Sequence, residues 1–157
     1  MFSSINEIKT KLQIWREASK IIVFTNGCFD LLHKGHKSLL QTAKNLGDIL
    51  IVGLNSDASV RILKGDNRPI ETQEKRAHKL LKLEIVNGVC IFEDHTPREL
   101  IKLIRPNFLV KGGDYKKSKI VGSQIMKEWN GKVRIVPLLK GFSTSSIIKK
   151  NKREGLV

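Results

Sequence analysis

Apolar residues in this chain come in two alternating textures. Short, largely continuous runs occupy 21–25, 48–54, 86–92 and 108–110, and 132–137 reads as a fifth strand. Between them, apolar positions recur every three or four residues. Continuous runs of this length read as strands covered on both faces, and the wider spacing reads as amphipathic helices. The first helix is predicted over 4–19, opened by the capping box Ser4-x-x-Glu7 and carried by Ile5, Ile8, Leu12 and Trp15. After the first strand, a helix over 38–46 carries Leu39, Leu40, Ala43 and Leu46 and ends at Gly47, where a left-handed cap is expected. Ser56 caps a short helix reaching Leu63, and Ala77, Leu80 and Leu81 carry the next, with Arg76 on a different face. Thr96-Pro97-Arg98-Glu99 reads as a second capping box with proline at the first helical position, and that helix ends before Pro106. Residues 120–129 are predicted helical, and Ser143 caps a last helix through Lys150.

Strand and helix thus alternate from end to end, without repeats or long linkers. The expected fold is α/β: a doubly wound, mainly parallel, five-stranded Rossmann-like sheet with helices on both faces. One domain is expected over 1–157, with 1–19 as a helix packed on it and 151–157 as a basic tail. In such folds ligands sit at the C-terminal edge of the sheet, where the strand order reverses. The polar, glycine-containing stretches of this chain all follow strands, so they converge on that edge.

Composition adds one unusual number, a net charge of +14 from 29 Lys and Arg against 15 Asp and Glu. Such a charge suits a nucleic-acid binder, a membrane-surface protein or an enzyme of polyanionic small molecules. The basic residues are spread along the chain, with one dense cluster at Lys149-Lys150-Asn151-Lys152-Arg153, and a solvated lysine-rich surface accounts for most of them. The six Phe, two Trp and one Tyr form no interleaved basic-aromatic stripe, so no nucleic-acid partner is expected. No apolar run reaches membrane-spanning length and the N-terminus lacks signal-peptide features, so no membrane association and a cytoplasmic location are expected. Cys28 and Cys90 form no CxxC pair and read as reduced thiols, Cys28 as a small residue suited to a tight loop.

The chain is organised around Thr25-Asn26-Gly27-Cys28-Phe29-Asp30-Leu31-Leu32-His33-Lys34-Gly35-His36, where a buried strand breaks into a loop that feeds a helix. Free N–H groups and the positive end of the helix dipole make such a junction a seat for phosphate. His33 and His36 bracket the helix start, and Gly27 and Gly35 let the backbone approach a ligand. No further His or Cys stands at ligand spacing, so no protein metal site is expected. Asp30 either orients a histidine or backbone group or caps the loop, while Lys34 reads as solvated. Lys111, at the end of a strand, is costly unless it faces a cleft.

Gly27-x-Phe29-Asp30-x-x-His33-x-Gly35-His36 resembles the signature of the cytidylyltransferase-like nucleotidyltransferases. The segments 46–48, 52–57, Leu63-Lys64-Gly65-Asp66-x-Arg68-Pro69, 94–97, 109–115 and Ser143-Thr144 resemble its heptose 1-phosphate adenylyltransferase branch, over nearly the whole chain past residue 20. The resemblance implies transfer of AMP from ATP to D-glycero-β-D-manno-heptose 1-phosphate, with Mg²⁺ accompanying the ATP, for lipopolysaccharide core synthesis. It implies catalytic roles for His33, His36 and Lys64. Nucleotide contacts are implied for Thr25, Asn26, Gly27, Phe29, Gly35, His36, Lys111, Gly112, Ser143 and Thr144. Substrate contacts are implied for Asp30, Asn55, Asp57, Lys64, Arg76 and Asp114, although capping explains Asn55 and Asp57 almost as well and solvation is the rival for Arg76.

One departure concerns the glycerol-phosphate relatives, which carry an arginine before the final Ser-Thr motif. Here the stretch reads Leu138-Leu139-Lys140-Gly141-Phe142, which disfavours glycerol phosphate and leaves Lys140 as the possible substitute. A cytidylyltransferase of another sugar or polyol phosphate is the enzymatic alternative, and a small basic nucleic-acid-binding protein the distant one. Many relatives carry a fused sugar kinase for which this chain has no room. A separate heptose kinase and a homodimer are therefore the partners expected from the resemblance.

Overall fold

The computed structural model describes residues 4–113 and 116–153. Five strands form one sheet: β1 Ile22–Gly27, β2 Ile49–Asn55, β3 Gly88–Phe92, β4 Phe108–Gly112 and β5 Lys132–Val136. Their order is β3-β2-β1-β4-β5 and every pairing is parallel, as continuous apolar strands require when helices cover both faces. The helices are α1 Ile5–Glu17, α2 Lys34–Lys44, α3 Asp57–Lys64, α4 Gln73–Leu81, α5 Arg98–Ile104, α6 Ser123–Met126 and α7 Thr144–Arg153.

Alternation along the strands sorts the core into two layers. Ile22, Phe24, Ile49 and Ile51 pack with Ile8 and Leu12 of α1 and with Ile101 and Ile104 of α5. Val23, Leu50, Val52 and Leu54 face the other way, onto Leu40 and Ala43 of α2 and Ala77 and Leu80 of α4. The chain runs outward from β1 through β2 to β3, then returns across the sheet to place β4 on the other side of β1. The C-terminal ends of β1 and β4 are therefore the switch point, where a doubly wound sheet opens a crevice.

Several local expectations are corrected. Gly47 is not a left-handed cap. A Cβ there would lie 2.8 Å from the Ile21 carbonyl oxygen and from Val23 Cγ2, so the glycine is needed for close packing on β1. α5 does start beside Pro97, but proline is the N-cap itself and no side chain caps it, leaving Thr96 free of that role. The expected helix over 120–129 is only the short α6 between 3₁₀ turns at Lys117–Lys119 and Lys127–Trp129. Residues 151–153 form the last turn of α7, where Lys152 and Arg153 sit favourably at the negative end of the helix dipole.

Arg76 is corrected most sharply. It is neither solvated nor part of the cavity wall: its side chain is fully buried beneath the C-terminal edge. Nε donates to Glu71 O, Nη1 to Cys28 O and Asn55 O, and Nη2 pairs with Asp57 at 2.7 Å. It thus ties α4 to the loop after β1 and to the end of β2. Asp57 is corrected with it, as the ion-pair partner rather than a substrate contact. Removing one member of such a buried set leaves carbonyls and a carboxylate uncompensated. Arg76→Met should lower the unfolding free energy by about 3 kcal/mol or more, read from urea denaturation. Unchanged stability would return Arg76 to the candidates for ligand contact.

Candidate active site

Both compartments of the site lie at the switch point. The larger, about 560 Å³, is bounded by the loop after β1 (Asn26, Gly27, Cys28, Phe29, Asp30), by Asn55, Lys64 and Arg68, and by Lys111. The segment 95–97 and residues 119–121 close its far side. The smaller, about 220 Å³, lies over the start of α2 and is closed by 138–139 and 142–145. His36, Lys64, Arg68 and Thr144 line both, so the compartments meet there.

The helix start is built by the two histidines. α2 begins at Lys34, four residues earlier than its leucines imply, because His33 is its N-cap. His36 N donates to His33 Nδ1 and His33 N donates to His36 Nδ1, each at 3.3 Å, a capping box made of two imidazoles. The rings stack with centroids 3.7 Å apart, and Phe29 meets His36 edge-on at 5.2 Å. Gly35 makes this possible: a Cβ there would stand 2.9 Å from His33 Cε1 and 3.2 Å from Phe142 Cβ. An Nδ1 that accepts from the backbone leaves the proton of a neutral ring on Nε2, as a donor not used by the loop.

Electrostatics keep those rings neutral. Burial first, then the neighbouring His33, push the His36 pKa down to about 4; Asp30 opposes them, and Lys64 adds the smallest downward push. Burial lowers His33 as well. Burial also lowers the Lys111 ammonium, with Cys28 opposing. The Cys28 thiol is raised by burial despite three nearby cations, which fits a loop residue rather than a nucleophile.

Asp30 sits in the floor, 1% exposed. Its carboxylate accepts from Arg68 Nε at 2.9 Å, Ile70 N at 2.8 Å and Glu71 N at 3.0 Å, and its carbonyl accepts from Thr144 Oγ1 at 2.7 Å. Every one of these contacts positions protein, so the structure gives Asp30 a backbone-orienting role in the floor of the larger cavity.

Of the residues predicted from sequence, the structure brings together Asn26, Gly27, Phe29, Asp30, His33, Gly35, His36, Asn55, Lys64, Lys111, Ser143 and Thr144 on the two cavities. Ser143 also caps α7, its Oγ accepting from Ser146 N at 3.1 Å. Thr25 is a correction: it is buried and its hydroxyl bridges β1 to Val110 O at 2.9 Å. Gly112 is another, packed under Leu138, whose Cδ2 would lie 2.8 Å from an added Cβ. Asp114 lies outside the described residues. Arg68, His95 and Thr96 were missed as cavity residues. Their signals were the cation two residues after the Asp66 turn and the polar stretch that follows β3.

The low His36 pKa sets a stability window. Below about pH 6.5 the unfolded chain protonates this imidazole, while the folded chain holds it neutral down to about 4. The stability it contributes is thus full above 6.5 and is lost as the pH falls through that window. The melting temperature should drop between pH 6.5 and 4, and His36→Gln should flatten that slope. An equal slope in both proteins would contradict a neutral His36.

Comparison with known proteins places the chain. The sequence pattern of the family described as Cytidylyltransferase-like matches residues 24–154. The chain is 58% identical over 131 residues to the bifunctional protein HldE of a Nitratiruptor species, covering 83% of this chain and 28% of that one. It is 56% identical over 136 residues to HldE of Wolinella succinogenes, covering 87% and 28%. The chain therefore spans under a third of the length of these relatives. Among solved structures, the lipopolysaccharide core biosynthesis protein from Thermoplasma volcanium superposes with a TM-score of 0.64 at 25% identity, over 78% of this chain and 99% of the other.

Proposed function

The chain belongs to the cytidylyltransferase-like family, and on that premise we propose that it transfers AMP from ATP to D-glycero-β-D-manno-heptose 1-phosphate, releasing pyrophosphate. The observation that carries the reaction class is the pair of compartments meeting at His36, Lys64 and Thr144. The choice of sugar rests on the similarity to HldE and to the lipopolysaccharide core biosynthesis protein, together with the segments 63–69 and 109–113.

The smaller compartment has the chemistry of a triphosphate seat. It combines the N-terminal ends of α2 and α7, two imidazole donors and the Lys64 ammonium. The larger one has room for a sugar phosphate beside the nucleoside. A phosphate oxygen of the sugar attacks the α-phosphorus of ATP in line, the new P–O bond forms, and the α–β bridging P–O bond breaks. The electron pair leaves with pyrophosphate. No covalent enzyme intermediate is required, so the protein's work is positioning and stabilising charge. Neutral His33 and His36 donate to phosphate oxygens through Nε2–H, while Lys64 and Lys111 supply the net charge.

Mg²⁺ is part of the proposal as the companion of ATP, where it offsets phosphate charge. Asp30 is the only carboxylate among the described residues lining the two cavities, and its oxygens are held by Arg68 and two backbone amides. That donor set fits a metal carried by the nucleotide rather than by a protein cage. We extend the proposal to a homodimer served by a separate kinase that makes the sugar 1-phosphate, in the cytoplasm, where ATP is available. No helix among the described residues is long and apolar enough to cross a membrane.

Losing one preorganised donor to developing charge costs about 3 kcal/mol, roughly a hundredfold in rate. His33→Ala and His36→Ala should each lose at least that much turnover while remaining folded by circular dichroism. Near-wild-type turnover in both would overturn the assignment. Pyrophosphate release with ATP, CTP and GTP against sugar and polyol phosphates checks the substrates. A faster reaction of CTP with a polyol phosphate would replace the sugar and base named here while keeping the reaction class.

A further inference from the structure

Four residues line both compartments, and three of them, His36, Lys64 and Thr144, belong to segments already given ligand contacts above. The fourth is Arg68, and it is fixed by a buried ion pair. Its Nε donates to Asp30 Oδ2 at 2.9 Å, with the arginine side chain 12% exposed and the carboxylate 0%. Asp30 in turn is held by two backbone amides and, through its carbonyl, by Thr144. The Arg68 side chain makes no other hydrogen bond among the described residues, so both Nη groups remain unspent at the junction of the cavities.

A guanidinium clamped at Nε offers its Nη groups as a planar fork that suits two oxygens of one phosphate. In a transfer between two separately housed substrates, the phosphate common to both is the one being transferred, and it occupies the place where the compartments meet. Charge in that transition state spreads over the equatorial oxygens of the transferred group.

We propose that Arg68 is a catalytic residue that grips the phosphate undergoing transfer, held in register by Asp30. This rests on the nucleotidyl transfer proposed above. Arg68 keeps its protons throughout; it binds the equatorial oxygens while the sugar-phosphate oxygen adds and pyrophosphate departs. Lys64 lies on the same cavity walls but is exposed on the surface of α3, so it supplies charge without a fixed fork.

Arg68→Lys is the informative variant, because it keeps a cation for Asp30 but cannot hold Asp30 and a phosphate at once. The measurement is steady-state pyrophosphate release, with kcat and both KM values separated, beside the melting temperature. The expected result is a kcat lower by about a hundredfold, with little change in either KM or in the melting temperature. Wild-type kcat, or a defect confined to KM, would overturn the proposal. Arg68→Ala with added methylguanidinium covers the case of a disturbed loop: recovery of turnover supports the proposal, and a kcat loss that follows a melting-temperature loss without recovery overturns it. Absence of pyrophosphate release from the unmutated protein with every substrate pair would instead defeat the proposed function, so the two failures are distinct.

Discussion

The site hangs on one buried carboxylate. Asp30 is removed from water, which is costly for a charge unless its lone pairs are well used. Here Arg68, Ile70 N and Glu71 N use them. Those three bonds pin the segment after α3 against the loop after β1, and the Asp30 carbonyl pins α7 through Thr144. The residues on either side, Phe29 and Leu31, have φ of 46° and 51°, in the left-handed region that disfavours side chains. Each such residue costs on the order of 1–3 kcal/mol and persists only where the surroundings hold it. The kinked loop and its anchor therefore explain each other: the kink turns Asp30 inward, and its bonds hold the kink.

What Asp30 positions, the histidines and cations then divide between them. A pair of stacked imidazoles cannot easily carry two charges, and burial together with Lys64 presses His36 further toward neutrality. The imidazoles are thus directional donors, with their Nδ1 atoms committed to the helix cap. Positive charge comes from Lys64 and Arg68 of the segment 63–69 and from Lys111 at the end of β4. Donors of fixed direction and charges of larger reach are complementary ways to receive phosphate, and neither group has to change protonation during the proposed transfer.

The sheet was legible because its central strands are continuous apolar runs, and every expected strand is present within a residue or two. The ends of helices were less so. Thr96-Pro97-Arg98-Glu99 matches a capping box by composition, yet the functioning imidazole box lies at His33 and His36, which share the same three-residue spacing. Capping patterns name residue types with short polar side chains, and imidazole is seldom among them. The site was legible where the loop after β1 and the serine-threonine start of α7 carry it. Thr25, Asp57, Arg76 and Gly112 lie beneath the cavities rather than on them: Arg76 holds the carbonyls of Cys28 and Asn55, Gly112 packs under Leu138, and Thr25 and Asp57 bond to Val110 and Arg76. Motif spacing places a residue near a ligand but does not say which side of the backbone it faces. Arg68 was overlooked because the role proposed for it depends on a carboxylate 38 positions earlier.

The positive charge looks different once the sheet is assembled. Lysines and arginines are spread along the chain, but the acids are not: residues 105–157 hold 13 basic and 3 acidic residues, whereas 1–104 hold 16 and 12. The excess thus falls on the last third of the chain, which contains β4, β5, α6 and α7. That third supplies Lys111 and Lys119 to the larger cavity and the start of α7 to the smaller. A cleft flanked by one sign of charge draws oppositely charged ligands toward it and raises their local concentration. In the proposed transfer, two polyanionic substrates must crowd their phosphates together before any bond changes, and their mutual repulsion is the first barrier they meet. An acid-poor wall beside the meeting point offsets that repulsion at long range, leaving the fixed donors around Asp30 to act at contact.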